Sequence, residues 1–147
     1  MRDRSTVQSA ALLVGILLFA MGILGFGPGI TTHYGDLSFA GPDSGAKLLG
    51  IFQTSILHNV VYLVLGLAGI AMARSWEGAR TFLIAGGTIY LGLFVYGLLA
   101  HGGSGWNFIP VNSADNVRHV VLGVGMIALG LVLGRKLIPA DPGPAPS

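Results

Sequence analysis

The sequence predicts an all-α membrane protein, a four-transmembrane-helix antiparallel bundle built from two related helical hairpins with both termini in the cytoplasm. Three observations lead there. Hydrophobic residues make up 52% of the 147 and charged residues 10%, with a mean hydropathy of +0.74, which is too apolar for a soluble domain of this size. The apolar residues fall into four long runs separated by polar or glycine-rich breaks. Part of the second run also returns in the fourth: Leu57 to Gly66 and Ala114 to Gly123 align without gaps. The alignment puts Asn59 on Asn116, Val60 on Val117, Val64 on Val121 and Gly66 on Gly123, with His58 facing Asp115 and Tyr62 facing His119. Each copy opens polar and ends apolar, as two equivalent helices of a duplicated unit would.

In chain order, residues 1–8 form a polar cytoplasmic start, and the first span follows over about 9–26. It is long for a signal-peptide core and no Ala-x-Ala site follows, so it reads as retained. Gly27-Pro28-Gly29 stops it. Residues Ile30 to Lys47 form the longest loop, with a small hairpin expected around Gly35 and a helix start at Pro42-Asp43-Ser44. The second span is placed at about 48–73, longer than a bilayer requires, so that it tilts or begins as an interfacial turn. Arg74 to Arg80 is a tight polar connection to the third span, about 81–100, which ends at His101-Gly102-Gly103. Trp106, Phe108 and Pro110 lead into the fourth span, about 113–134, capped by Asn112 or Ser113 and closed by Arg135 and Lys136. The transmembrane domain thus covers 9–136, and the proline-rich tail, 137–147, is expected to be disordered.

Charge sets the orientation. Arg2, Arg4, Arg74, Arg80, Arg135 and Lys136 share one side of the four-span arrangement, against Lys47 and Arg118 on the other. The positive-inside rule then makes this a multi-pass cell-membrane protein with cytoplasmic termini. Phe26, Phe52, Trp76, Trp106 and Phe108 fall at the expected boundaries, as interfacial aromatics do. A net charge of +2 scattered between apolar runs offers no basic face for nucleic acid. The absence of cysteine excludes disulfides, thiolate chemistry, cysteine-ligated metals and a lipoprotein anchor.

Small residues recur seven apart in every span: Gly15 and Gly22, Gly66 and Ala73, Ala85 and Gly92, Gly123 and Gly130. Two turns separate each pair, so each lies on one stripe that lets a neighbouring backbone approach. Gly130 to Gly134 also has the spacing of a dimerisation motif, which would make a homo-oligomer.

The polar residues inside the spans are the only candidates for a site: His58, Asn59 and Tyr62 in the second, and Asp115, Asn116, Arg118 and His119 in the fourth. Positions four apart share a helix face, so His58 stacks with Tyr62, and Asp115 with His119. A pseudo-twofold axis between the helices would bring His58 to Asp115 and Tyr62 to His119. Four readings remain open. In the plainest, these side chains hydrogen-bond between helices, Asp115 favours a helix N-terminus and Arg118 snorkels to the surface. His58, His119 and Asp115 are also suitable ligands for zinc or iron, although no H-E-x-x-H or second carboxylate is present. Haem between His58 and His119 would have to span an axial offset of about one turn, roughly 6 Å. A proton or ion path would need acidic residues in the cytoplasmic half of a span, and there are none. His33 and His101 lie in loops without spaced partners, and no catalytic triad or carboxylate pair can be assembled.

Several short blocks in order resemble a known family. These are Gly25-Phe26 with Pro28-Gly29, Leu49-Gly50-Ile51-Phe52 running to Leu57-His58-Asn59, and Asn107-Phe108-Ile109-Pro110-Val111-Asn112 leading into Asp115-Asn116 and His119. Over about Ala10 to Leu133 the chain resembles an actinobacterial family of small four-span membrane proteins, the domain of unknown function 4383. That family often carries a second His one turn after His-Asn, where this chain has Tyr62, and usually an apolar residue at the position of Arg118. The resemblance implies a four-helix integral membrane protein and no activity. The expected function is therefore non-enzymatic: an accessory or scaffold subunit of a larger membrane assembly, in contact with the lipid bilayer, without catalytic residues, metal or cofactor. The alternative is a haem- or metal-binding redox-type membrane protein using the His58 and His119 cluster.

Overall fold

The computed structural model describes residues 4–40, 44–99 and 111–135. The fold is mostly helical. Four helices occur among the described residues: α1 (Thr6–Leu24), α2 (Ile56–Met72), α3 (Trp76–Leu99) and α4 (Ser113–Val132). α1, α3 and α4 are long and apolar enough to cross a membrane, whereas α2 is an apolar helix of 17 residues.

Each helix begins for a local reason. At α1 the Gln8 side-chain carbonyl accepts the Ser5 backbone N–H at 3.1 Å, closing a capping box. The Gln8 amide then donates to the Ala73 carbonyl, tying the start of α1 to the end of α2. Ser55 caps α2 by accepting from the His58 N–H at 3.2 Å. Asn112 and Asp115 form a reciprocal box at the start of α4, with bonds of 2.9 and 3.0 Å.

α1 packs mainly against α2, and α3 mainly against α4, with their registers running in opposite directions. On α1, Gly15 lies against Gly66 and Gly69, and Gly25 against Asn59. On α3, Gly87 lies against Gly123, and Gly97 against Asn116. The two sets of contacts correspond. The offset that takes Asn59 to Asn116 also takes cap residue Ser55 to cap residue Asn112 and Gly66 to Gly123. A second offset takes Gly25 to Gly97, Gly15 to Gly87 and Phe19, which abuts Gly66, to Leu91, which abuts Gly123. Leu18, Tyr62, Phe82, Leu83, Tyr90 and Met126 belong to the core among the helices.

A small antiparallel sheet closes one end, in the order β1 (Thr31–Thr32), β2 (Lys47–Leu48), β3 (Phe52–Gln53). Leu48 pairs with Thr31 on one side and Phe52 on the other. Leu49 and Gly50 between β2 and β3 have φ of 54° and 73°, the positive pair that suits a tight hairpin turn. The Thr31 hydroxyl donates to the Leu24 and Gly25 carbonyls, satisfying the orphan acceptors at the end of α1.

Several expected elements are placed differently. Residues 48–53 form strand ends and the turn between them rather than the start of the second helix, because polar Gln53-Thr54-Ser55 interrupts the apolar run and Ser55 starts the helix. Around Gly35 the chain makes a single 3-10 turn, Tyr34–Asp36, instead of a hairpin. Trp76 to Arg80, expected in a connection, is already helical. The packing face of α3 is not Ala85 and Gly92, which are exposed, but Gly86, Gly87, Tyr90 and Gly97. Gly130 is buried against Leu83 and Ile84 of α3, so within the chain it already has the neighbour that a dimer motif would seek. The expectations for His101, Trp106, Phe108, Pro110 and the tail 137–147 lie outside the described residues.

Candidate functional site

All seven polar residues nominated from the sequence are buried at the sheet end of the bundle, none more than 9% exposed. They divide into two kinds. Asn59 and Asn116 are wedged beneath glycines: a Cβ at Gly25 would overlap the Asn59 amide, and one at Gly97 would overlap that of Asn116. The Thr54 hydroxyl donates to Asn59 Oδ1, fixing the amide between sheet and helix. These two asparagines are joints between packed helices, Asn59 under Gly25 and Asn116 under Gly97.

The rest converge where α2, α3 and α4 meet. Asp115 is fully buried and accepts the Gln53 backbone N–H at 3.1 Å and that of Asn112 at 3.0 Å. Its other oxygen pairs with Arg118 Nη2 at 2.7 Å, one turn along α4. Arg118 does not snorkel outward: it is 9% exposed, and its guanidinium lies 4.6 Å from the centre of the Phe52 ring and 5.3 Å from that of Tyr62. Weak hydration of guanidinium and its attraction to aromatic faces explain why this charge tolerates the position. Phe52, expected at a membrane boundary, is thus half-buried over a cation.

Next to the ion pair the rings form a chain. His58 stacks on Tyr62 at 4.7 Å between centroids, His58 meets His119 at 6.4 Å, and His119 meets Tyr90 at 5.8 Å. The cross-helix partner of His58 is therefore His119 rather than Asp115, whose carboxylate is held by Arg118 and two backbone amides. Tyr90, Phe52 and Gln53 also belong to this site, although the sequence points to Phe52 only as a boundary aromatic and to Tyr90 and Gln53 not at all. Tyr90 could have been found: it follows Gly86 by four residues and precedes Gly97 by seven, on the small-residue face that packs on α4.

A cavity of about 120 Å³ opens beside the rings, lined by His58, Tyr62, Tyr90 and His119 and by apolar Val61, Leu65 and Leu93. Among the described residues, the hydroxyls of Tyr62 and Tyr90, both ring nitrogens of His119 and Nδ1 of His58 are buried without a hydrogen-bond partner. Buried polar groups are ordinarily satisfied, so this concentration sets the site apart from helix-to-helix bonding. A metal is not accommodated by the expected set: among the described residues no three His, Asp or Glu side chains converge, since Asp115 is turned to Arg118. Nothing in the described site supports a porphyrin between His58 and His119, whose rings are packed against Tyr62 and Tyr90.

No match was found among curated proteins or solved structures. The sequence profile of one family matches residues 8–132, most of the chain and nearly all of the described helices. The protein belongs to the family described as Domain of unknown function (DUF4383).

Proposed function

We propose that this protein is a non-enzymatic accessory or scaffold subunit of a larger assembly in the cell membrane, crossing it four times with both termini in the cytoplasm. The observation that carries the reading is on α3. Small-residue pairs on the other helices pack inside the chain, but Ala85, Thr88 and Gly92 form an exposed stripe, and a Cβ added at Gly92 would meet nothing within 4 Å. Close backbone approach at small residues is a principal means of helix association in lipid, so this stripe suits a helix from another protein.

The membrane topology draws support from lengths and charges. At 1.5 Å per residue, α2 rises about 25 Å, within the range that spans a bilayer core. Arg4, Arg74, Arg80 and Arg135 gather at the end opposite the sheet, where Gln8 reaches Ala73 and Gly134 lies against Arg80. The matched contacts Gly15–Gly66 with Gly87–Gly123, and Gly25–Asn59 with Gly97–Asn116, support descent of the hairpins from one duplicated unit.

Purification from native membranes tests the function. Recovery with a second protein at fixed stoichiometry, lost on Gly92→Leu while the thermal unfolding midpoint is unchanged, is the expected result. Recovery as a lone species in mild detergent would count against it.

A further inference from the structure

We propose that the cavity where α2, α3 and α4 meet binds a neutral, lipid-soluble ring of the quinone or quinol class. The proposal is independent of the accessory role, since such a site serves a lone protein or a subunit equally.

Four features narrow the ligand. The first is unsatisfied hydrogen bonding: Tyr62, Tyr90, His119 and His58, each 7% exposed or less, line the cavity with polar atoms that no protein group engages. Tyrosine hydroxyls donate and accept, and a neutral imidazole does one at each nitrogen, so the cavity suits oxygen atoms that are carbonyl or hydroxyl. The second is size. About 120 Å³ is close to the roughly 150 Å³ of an apolar cavity known to take benzene, so one six-membered ring is the natural occupant. The third is charge. Among the described residues no Asp, Glu, Lys or Arg lines the cavity, and the nearby Asp115 and Arg118 neutralise each other, so no fixed charge is left over to hold a charged ligand in place of a neutral one.

The fourth feature is access. Leu57 and Val61 line the cavity and are 36% and 40% exposed, giving it an apolar mouth on the outer face of α2. A ligand carrying a hydrocarbon tail could enter ring first and leave the tail between these side chains. The cavity also lies at the junction of α2 with α3 and α4, and ligand sites in helical bundles favour such seams. The inference concerns binding alone and assigns no electron-transfer step.

The test uses the full chain in nanodiscs, with a decyl-substituted benzoquinone as probe, decylbenzene as the control lacking oxygen, and quenching of protein fluorescence as readout against empty nanodiscs. Saturable binding is expected at one probe per chain, uncompeted by decylbenzene. Tyr62→Phe and Tyr90→Phe keep the ring and remove the hydroxyl, and each should weaken binding about three- to tenfold, the worth of one hydrogen bond. Val61→Trp, which blocks the mouth without touching a polar group, should abolish it. Quenching that never saturates, equal competition by decylbenzene, or affinity unchanged in both tyrosine variants would overturn the proposal and leave water as the partner of these groups.

Discussion

The packed pair of α1 and α2 and the packed pair of α3 and α4 share joints but differ in what they bury. Both place a glycine of the first helix on an asparagine near the start of the second, and both bring small residues together at mid-helix. Yet at corresponding positions the first pair has Leu18, His58 and Tyr62, whereas the second has Tyr90, Asp115 and His119. Contacts within each pair need glycine and asparagine for close approach, so those types recur. Residues facing the seam meet a different neighbour on each side, and there the two halves diverge. The result is one ion pair, confined to the second pair of helices, beside a chain of rings drawn from both.

The largest effect should come from breaking that asymmetry at its charged point. Asp115→Ala leaves Arg118 buried without its partner and also frees the Gln53 and Asn112 N–H groups, so a loss of about 3 to 5 kcal/mol is expected. Replacing Asp115 and Arg118 together by leucine should recover most of the loss, because the uncompensated charge is gone. Unfolding in a denaturing detergent series would report both. If the double variant were no more stable than the single one, the cost would lie in the lost sheet contact rather than the stranded charge.

The glycine contacts sharpen the comparison at smaller scale. A Cβ at Gly66 would strike the Phe19 backbone, whereas one at Gly123 would first meet the end of the Leu91 side chain. Backbone cannot turn aside and a leucine rotamer can, but the Gly87 carbonyl also lies 3.0 Å from a Cβ at Gly123, so Gly66→Ala should cost about 3 kcal/mol and Gly123→Ala less, about 2 kcal/mol. Equal losses in the same assay would mean that Leu91 is as tightly held as the main chain.

These differences also show what could be read from the sequence. The apolar helices, the unknown-function family and the approximate positions of the polar residues were legible, because hydropathy and short motifs are local properties. The strands at Lys47–Leu48 and Phe52–Gln53 were not, since a short apolar run has no period that separates strand from helix. The burial of Arg118 depends on Phe52 arriving over it from the sheet, and the place of Tyr90 depends on which face of α3 meets α4. Neither is a property of one segment. Spacing points to the wrong face of α3, because Ala85 and Gly92 share the seven-residue spacing of the true packing stripes, and spacing does not tell an inward stripe from an outward one.

The subtlest test exchanges one residue between the helix pairs. Thr54 donates to Asn59, and the offset that relates Asn59 to Asn116 relates Thr54 to Val111. The second asparagine accordingly lacks a threonine at that place, and its Oδ1 is buried without a hydrogen-bond donor among the described residues. Thr54→Val makes the first pair like the second and should cost about 1 kcal/mol, the net worth of one buried hydrogen bond. Val111→Thr makes the second like the first and should gain up to about 1 kcal/mol if its hydroxyl reaches Asn116 as Thr54 reaches Asn59. Opposite signs in the two variants would mean that the helix pairs are equivalent down to this bond. A loss in both would mean that the correspondence ends at the caps, with Val111 held by apolar packing that a hydroxyl disturbs.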